Sequence, residues 1–292
     1  MRNCGSQLQA EGREHRTQRV DQDDLNPEYR YSDFCSMSSG IWLRVAECRM
    51  PNAECRMQRI LSNLKNDEVK FLKAQEGNKK MSDTITTPQM LRALENMCDA
   101  IENEKDYLSE LDGAIGDGDH GVNMAKCFRE VKKKLVDSSA EDVGTLFKDV
   151  GMVVMNSVGG AMGALYGTFF LKLSQAGAGK KEVNLSDLVG MLQTGEQGIL
   201  DIGKANPGDK TLIDTLSAAV RAIEAAQKEG KTLSEALADF EQAAKMGMES
   251  TKDMLAKMGR ASRLGERTIG HQDAGATSCY FILRSLASAA TG

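Results

Sequence analysis

At 292 residues the chain is long enough for one large domain or two smaller ones with a substantial buried core. Aromatic residues make up only 5%, whereas 28 positions are glycine and Ala, Leu, Met and Val carry the apolar share, a mix that favours closely packed helices over a β-sandwich. The formal net charge of −5, with no long basic tract, gives no electrostatic reason to expect nucleic acid as a partner, and no apolar run approaches the roughly 18 residues that cross a bilayer.

Residues 1–80 differ from the rest. They are polar and irregular, contain a short repeat (Ala46-Glu47-Cys48-Arg49-Met50 and Ala53-Glu54-Cys55-Arg56-Met57), and show helical periodicity only weakly between Met57 and Leu72. The expectation is an irregular or disordered N-terminal extension. A second reading places the natural start at Met81, with Gln75-Glu76-Gly77 encoded by a purine-rich leader. The N-terminus lacks the basic-then-apolar order of a secretory signal, so a cytoplasmic location is the default. The seven cysteines show no zinc-type pairing: Cys4, Cys35, Cys48 and Cys55 lie in the extension, and Cys98, Cys127 and Cys279 fall in helix-like segments as small reduced core residues.

From Thr86 onward the pattern is helical. Thr86 or Thr87 caps a helix with Pro88 in its first turn, and Met90, Leu91, Leu94, Met97, Ile101 and Leu108 recur at helical spacing. It delivers the chain to Leu111-Asp112-Gly113-Ala114-Ile115-Gly116-Asp117-Gly118-Asp119-His120-Gly121-Val122-Asn123, where three carboxylates, one imidazole and four glycines are packed together. Carboxylates this close repel, and a multivalent cation is the simplest compensation at neutral pH. The glycines permit tight turns, and a helix beginning near Asn123 offers amide hydrogens to an anion. A solvated Asp/Gly turn is the bland alternative, and the acidic spacing does not match an EF-hand.

A second helix runs from about Asn123 through Phe128, Val131 and Leu135, and a third from about Asp142 to Val158. Gly159-Gly160-Ala161-Met162-Gly163-Ala164-Leu165-Tyr166-Gly167-Thr168 is a second glycine-rich stretch. It suits either a phosphate-wrapping loop or close helix crossing. Asn184 or Ser186 opens the next helix, which ends in Gly203-Lys204-Ala205-Asn206-Pro207-Gly208-Asp209-Lys210-Thr211. That run is not a Walker A loop, because Asp209 separates the second glycine from the lysine and a helix precedes it. A helix follows Thr211, and Thr232 with Glu235 forms a capping box for one that runs past Met254 with a break near Gly247. A long charged loop, residues 259–278, then carries Arg260, Arg263, Arg267 and His271, and leads into a final helix from about Ala274 to Ala289. The count is eight helices with short, antiparallel connections and no strand.

Residues 112–123, 159–168, 208–211 and 259–278, in this order within a helical pattern over about residues 84–290, resemble the ADP-binding L subunits of bacterial dihydroxyacetone kinases, the DhaL family. The resemblance covers residues 81–292 and implies an all-α closed barrel of eight antiparallel helices with a nucleotide site in the loops at one end. It implies ADP/ATP and two Mg2+ as cofactors, with Asp112, Asp117 and Asp119 as metal ligands. His120, Gly121, Val122 and Asn123 would contact phosphate; Ala161 and Met162 would belong to the glycine-rich phosphate loop; Gly203, Leu212, Arg260, Asp273, Ala274 and Gly275 would surround the rest of the nucleotide. No separate protein nucleophile is implied. In the phosphotransferase-linked form, bound nucleotide is charged by a DhaM-type phosphohistidine partner and passes its phosphoryl group to dihydroxyacetone on a DhaK-type partner; a homodimer is also implied. Family loops commonly place Ser where Met162 stands, a lost hydroxyl worth about 1 kcal/mol or more, and Pro where Ala164 and Ala274 stand. Two alternatives are a regulatory nucleotide-binding paralogue without phosphoryl transfer and the nucleotide subunit of a related kinase with another acceptor.

Overall fold

The computed structural model describes residues 31–36, 42–46 and 83–290. The chain divides into two units, Met1–Lys79 and Lys80–Gly292. In the first, β1 (Tyr31–Ser36) pairs antiparallel with β2 (Trp42–Ala46), a hairpin that the sequence pattern did not indicate. The other expectations for residues 1–80, including the Met57–Leu72 periodicity and a start at Met81, lie outside the described residues.

The second unit opens with β3 (Thr84–Thr86), which pairs antiparallel with β4 (Glu182–Asn184); Ile85 faces Val183 across the ribbon and both are fully buried. This corrects the expectation of no strand. Two three-residue strands leave too short an alternation to be read from sequence. All else of size is helix: α1 (Thr87–Asn103), α2 (Lys105–Ile115), α3 (His120–Val136), α4 (Val143–Ser157), α5 (Gly160–Ala176), α6 (Leu185–Gly203), α7 (Leu212–Lys228), α8 (Leu233–Ser250) and α9 (Ala274–Ala287).

That makes nine α-helices among the described residues, not eight. The expected first helix is broken at Glu104, which takes φ −95° and ψ 10° while its N–H still reaches Ala100 O at 3.1 Å. Leu108 lies two helical turns beyond Ile101 and both are fully buried, so the apolar stripe continues across the break and conceals it. Side-chain chemistry sets the helix starts. Gln89 accepts from the Thr86 N–H at 2.9 Å, Asp142 from the Thr145 N–H at 3.0 Å, and Asp187, Asp214 and Glu235 complete capping boxes with Asn184, Thr211 and Thr232. Helix α8 runs unbroken through Gly247. A Cβ there would lie 2.5 Å from Asp214 O and 3.0 Å from Thr215 Cα, so this glycine marks the close crossing of α8 over α7 rather than a helix break.

Each helix from α3 to α8 packs on its successor, α1 packs on α3, and α9 packs on α1, α7 and α8, so the contacts run around a closed circuit. The interior holds Leu94, Met97, Phe128, Phe147, Phe170 and Phe240, each worth about 1.5–3 kcal/mol of apolar transfer. Helix α9 is nearly all buried, through Tyr280, Ile282, Leu283 and Leu286. Cys98, Cys127 and Cys279 are buried free thiols, and burial pushes the first two up to about 12. No helix among the described residues is long and apolar enough to cross a membrane.

Candidate functional site

The acidic stretch becomes a site through its backbone. Helix α2 ends where the Gly116 N–H returns to Asp112 O, and a Cβ at Gly116 would lie 2.2 Å from Asp112 Oδ1, so a side chain there would displace the carboxylate. Gly118, at φ +76°, then takes the left-handed conformation that turns the chain back. Asp117 and Asp119 are thereby carried against Asp112, one oxygen of each lying within 4.8 Å of the others. Asp112 also accepts the His120 N–H at 3.2 Å, which ties the cluster to the start of α3. The guanidinium of Arg260 pairs with Asp117 and lies 3.8 Å from Asp119. Three carboxylates against one guanidinium leave a local excess of negative charge, and hard oxygen donors at this spacing suit a divalent cation.

The cluster borders a cavity of about 500 Å³, in the range of small-molecule sites. Besides the three aspartates, it is lined by His120, Asn123, Ala161, Met162, Gly203, Leu212, Arg260, Asp273, Ala274 and Gly275 from the sequence-derived set. The loops between helices thus bring to one cavity residues up to 163 positions apart, from Asp112 to Gly275. Gly121 and Val122 are not among the lining residues. Gly121 faces α2, where an added Cβ would meet Lys105 O at 1.9 Å, and Val122 is 54% exposed.

The structure adds lining residues that sequence reasoning did not single out, notably Leu165, Tyr166, Ile199, Ala205, Lys210 and Met258. Apart from Lys210 and the tyrosine hydroxyl these form an apolar wall. Leu165, Tyr166 and Ile199 sit on helices at core spacing, which gave them no mark distinct from ordinary packing, and Ala205 and Met258 lie in connecting segments. Lys210 had a signal: it lies in the 208–211 motif, which is not a Walker A loop but is one of the four that carry the resemblance, with no role given to the lysine. It takes φ +60° and is 2% exposed, and its ammonium donates to the carbonyls of Met254, Thr268 and His271 at 3.2, 2.6 and 2.5 Å. One buried cation therefore pins the charged segment that carries Arg260. Burial lowers the Lys210 pKa, opposed by Asp273 and Asp253. Arg263, Arg267 and His271 are exposed and do not line the cavity.

The glycine-rich stretch at 159–168 serves two ends. Gly159 and Gly160 line the cavity where α5 begins, with open space around both, and Gly160 sits at φ +73°. Gly163 instead lies against the turn into α5, where an added Cβ would meet Val158 O at 1.9 Å, and Gly167 lies against α4, where one would meet Met155 Cε at 3.0 Å. Of the two readings of this stretch, close helix crossing describes its second half.

At the start of α9, Asp273 accepts from the Ala276 N–H at 2.7 Å. Burial pushes its carboxyl up to about 6, offset in part by that bond and by Lys210 and reinforced by Asp214 and Asp112. Burial also lowers the His120 pKa, against the pull of Asp112 and Asp119. The imidazole Nε2 lies 2.9 Å from Ser278 Oγ, which is 2.8 Å from the Tyr166 hydroxyl.

Residues 114–288 match the DAK2 domain. The chain belongs to the DAK2 domain family. It is 40% identical over 207 residues to the PEP-dependent dihydroxyacetone kinase ADP-binding subunit DhaL of Escherichia coli K12, covering 71% of this chain and 99% of that protein. A Listeria innocua relative, the ADP-binding subunit DhaL of PEP-dependent dihydroxyacetone kinase 2, is 42% identical over 65% of this chain and 88% of its own. Human triokinase/FMN cyclase is 30% identical over 68% of this chain, which matches only 34% of that protein. Among solved structures, the dihydroxyacetone kinase of C. freundii in complex with AMP-PNP and Mg2+ superposes with a TM-score of 0.52 at 25% identity, over 68% of this chain and 33% of that one. The relatives of full matching length are subunits of a phosphotransferase, so an enzyme subunit is the class to which this family member belongs.

Proposed function

We propose that this chain is the nucleotide-carrying subunit of a phosphoenolpyruvate-dependent dihydroxyacetone kinase. The observation that carries the reading is the convergence of Asp112, Asp117 and Asp119 in the lining of a cavity that also has an apolar lining from Leu165, Ile199, Ala205, Leu212 and Met258. Such a cavity suits a ligand with a polyanionic end and a flat, weakly polar end, as ADP has. The DhaL relatives are named as ADP-binding, and the C. freundii kinase binds a nucleotide analogue with Mg2+.

The residues present fit two magnesium ions. The three carboxylates are hard oxygen donors, and among the described residues Asp117 and Asp119 have only Arg260 as a cationic partner, a contact that a dication can replace. When bound, the ions would neutralise charge on the phosphates and stabilise the transferring group. The protein groups would orient and shield: the starts of α3 and α5 border the cavity, with His120, Asn123, Ala161 and Met162 available to the phosphate end, and Arg260 offers a planar cation. Gly203, Asp273, Ala274 and Gly275 enclose the remainder, and the phosphate loop carries a thioether at Met162 where a hydroxyl would donate. Gly121 and Val122 contribute backbone to the α3 start rather than cavity wall.

The same reading takes the closed circuit of helices as a barrel, residues 81–292 as the nucleotide domain and residues 1–80 as an appendage. A DhaM-type phosphohistidine donor, a DhaK-type acceptor subunit holding dihydroxyacetone, a homodimer and a cytoplasmic setting complete it. The test is a radiolabelled transfer assay with DhaK- and DhaM-type partners. Label reaching dihydroxyacetone is the expected result; tight ADP binding with no transfer would instead favour a regulatory paralogue.

A further inference from the structure

Ser278 is fully buried on α9, is not among the residues that line the cavity, and yet reaches three that do. Its hydroxyl oxygen lies 2.9 Å from His120 Nε2, 2.8 Å from the Tyr166 hydroxyl and 3.1 Å from Gly275 O; the Tyr166 hydroxyl is also 3.1 Å from Gly275 O. Tyr166 is 2% exposed, so this cluster must satisfy its own polar atoms. We propose that Ser278 is a positioning residue that fixes the His120 imidazole with its hydrogen on Nε2 and leaves Nδ1 free at the cavity.

Hydrogen counting selects that arrangement. Gly275 O can only accept, and each hydroxyl has a single hydrogen. With the imidazole hydrogen on Nε2, His120 donates to Ser278 Oγ, Ser278 donates to Gly275 O, and Tyr166 donates to Ser278 Oγ: three hydrogens occupy three contacts. With the hydrogen on Nδ1, Ser278 must turn to donate to Nε2. Only two hydrogens then serve the same four contacts, so two of them carry no hydrogen, against one in the first arrangement. Among the described residues Nδ1 has no hydrogen-bond partner, so in the first arrangement its lone pair is open to a ligand. Ser278 and Tyr166 come from α9 and α5, so the imidazole at the head of α3 is held by two other helices rather than by its own loop.

The consequence is rotational. The backbone bond to Asp112 fixes where His120 starts but not how its imidazole turns, and a phosphate-facing group must be held within a fraction of an ångström to aid transfer. This inference rests on the proposed nucleotide site for its kinetic arm only. In the ligand-free full chain, imidazole 15N–1H spectra recorded well above the ordinary histidine pKa range, assigned by comparison with His120→Gln, should show a slowly exchanging Nε2–H. In Ser278→Ala that hydrogen should exchange too fast to be seen. Ser278→Cys, which keeps the shape with a weaker acceptor, should show intermediate exchange and serves if the alanine variant fails to fold. With partners present, kcat should fall about tenfold in Ser278→Ala while KM and ADP affinity stay within about twofold. An imidazole hydrogen on Nδ1 in the native chain, a protected Nε2–H that survives in Ser278→Ala, or an unchanged kcat would overturn the assignment. Failure of the native chain to bind ADP would overturn the nucleotide reading alone, because the spectra need no ligand.

Discussion

The acidic stretch at 112–123 and the glycine-rich stretch at 159–168 look alike in composition, each a run of small residues between apolar helices. The structure gives them different work. In the first, the chain leaves the helix, turns at Gly118 with φ +76°, and gathers three carboxylates within 4.8 Å. In the second, only Gly159 precedes the helix: α5 begins at Gly160, Gly163 leaves room for the Val158 carbonyl of the turn before it, and Gly167 is there because α4 is too near for a Cβ. Glycine therefore has at least three uses here: a left-handed turn, a ligand-facing helix start and a close crossing. Sequence composition does not separate them, because what distinguishes them is what lies opposite.

Substitutions can break this contrast. The largest effect should come from Gly163→Ala, whose Cβ would be placed 1.9 Å from Val158 O; thermal unfolding should show a loss of about 2 kcal/mol or more, whereas Gly159→Ala, with nothing within 4 Å, should stay within about 0.5 kcal/mol. Equal losses at the two positions would dissolve the distinction within the second stretch. In the first stretch, Asp117→Ala should leave stability nearly untouched and weaken magnesium-dependent ADP retention by about tenfold to a hundredfold, read by equilibrium dialysis. Retention equal to that of the native chain would remove the metal reading. Gly118→Ala lies between these, with a cost of about 1–2 kcal/mol from its left-handed backbone.

A smaller effect tests Arg260 as the counter-ion of the acidic cluster. Arg260→Gln should tighten Mn2+ binding measured without nucleotide by up to about fivefold, since the cation no longer displaces a guanidinium from Asp117, while ADP binding weakens. Looser Mn2+ binding in that variant would show that the arginine supports the site rather than competing for it.

The smallest effect is a slope. Burial raises Asp273 to about 6, so the folded chain holds this proton more tightly than the unfolded chain does. Its contribution to stability is complete below the ordinary carboxylate pKa and is lost as pH rises through about 6. Denaturant titrations of Asp273→Asn over that interval should show a flatter pH dependence than those of the native chain.

The residue order by itself specified most of the helices and their starts. Thr86 with Pro88, Asp142, Asn184, Thr211 and Thr232 cap where their side chains reach the first free amides, a rule that acts within four residues. It also marked the three clustered carboxylates, because like charges crowded in sequence are crowded in space whatever the fold. Sequence reasoning did not mark the break at Glu104, since Ile101 and Leu108 keep one buried face on both sides of it. The β3–β4 ribbon and the Gly247 crossing were hidden because each exists only through a partner far along the chain. The apolar cavity wall, the three carbonyls that hold Lys210 and the Tyr166–Ser278–His120 cluster likewise join residues from separate helices. Local chemistry sets where a helix begins and which charges need a partner; which buried side chains then face a shared cavity is decided only when the helices pack, because that depends on distance through space rather than along the chain.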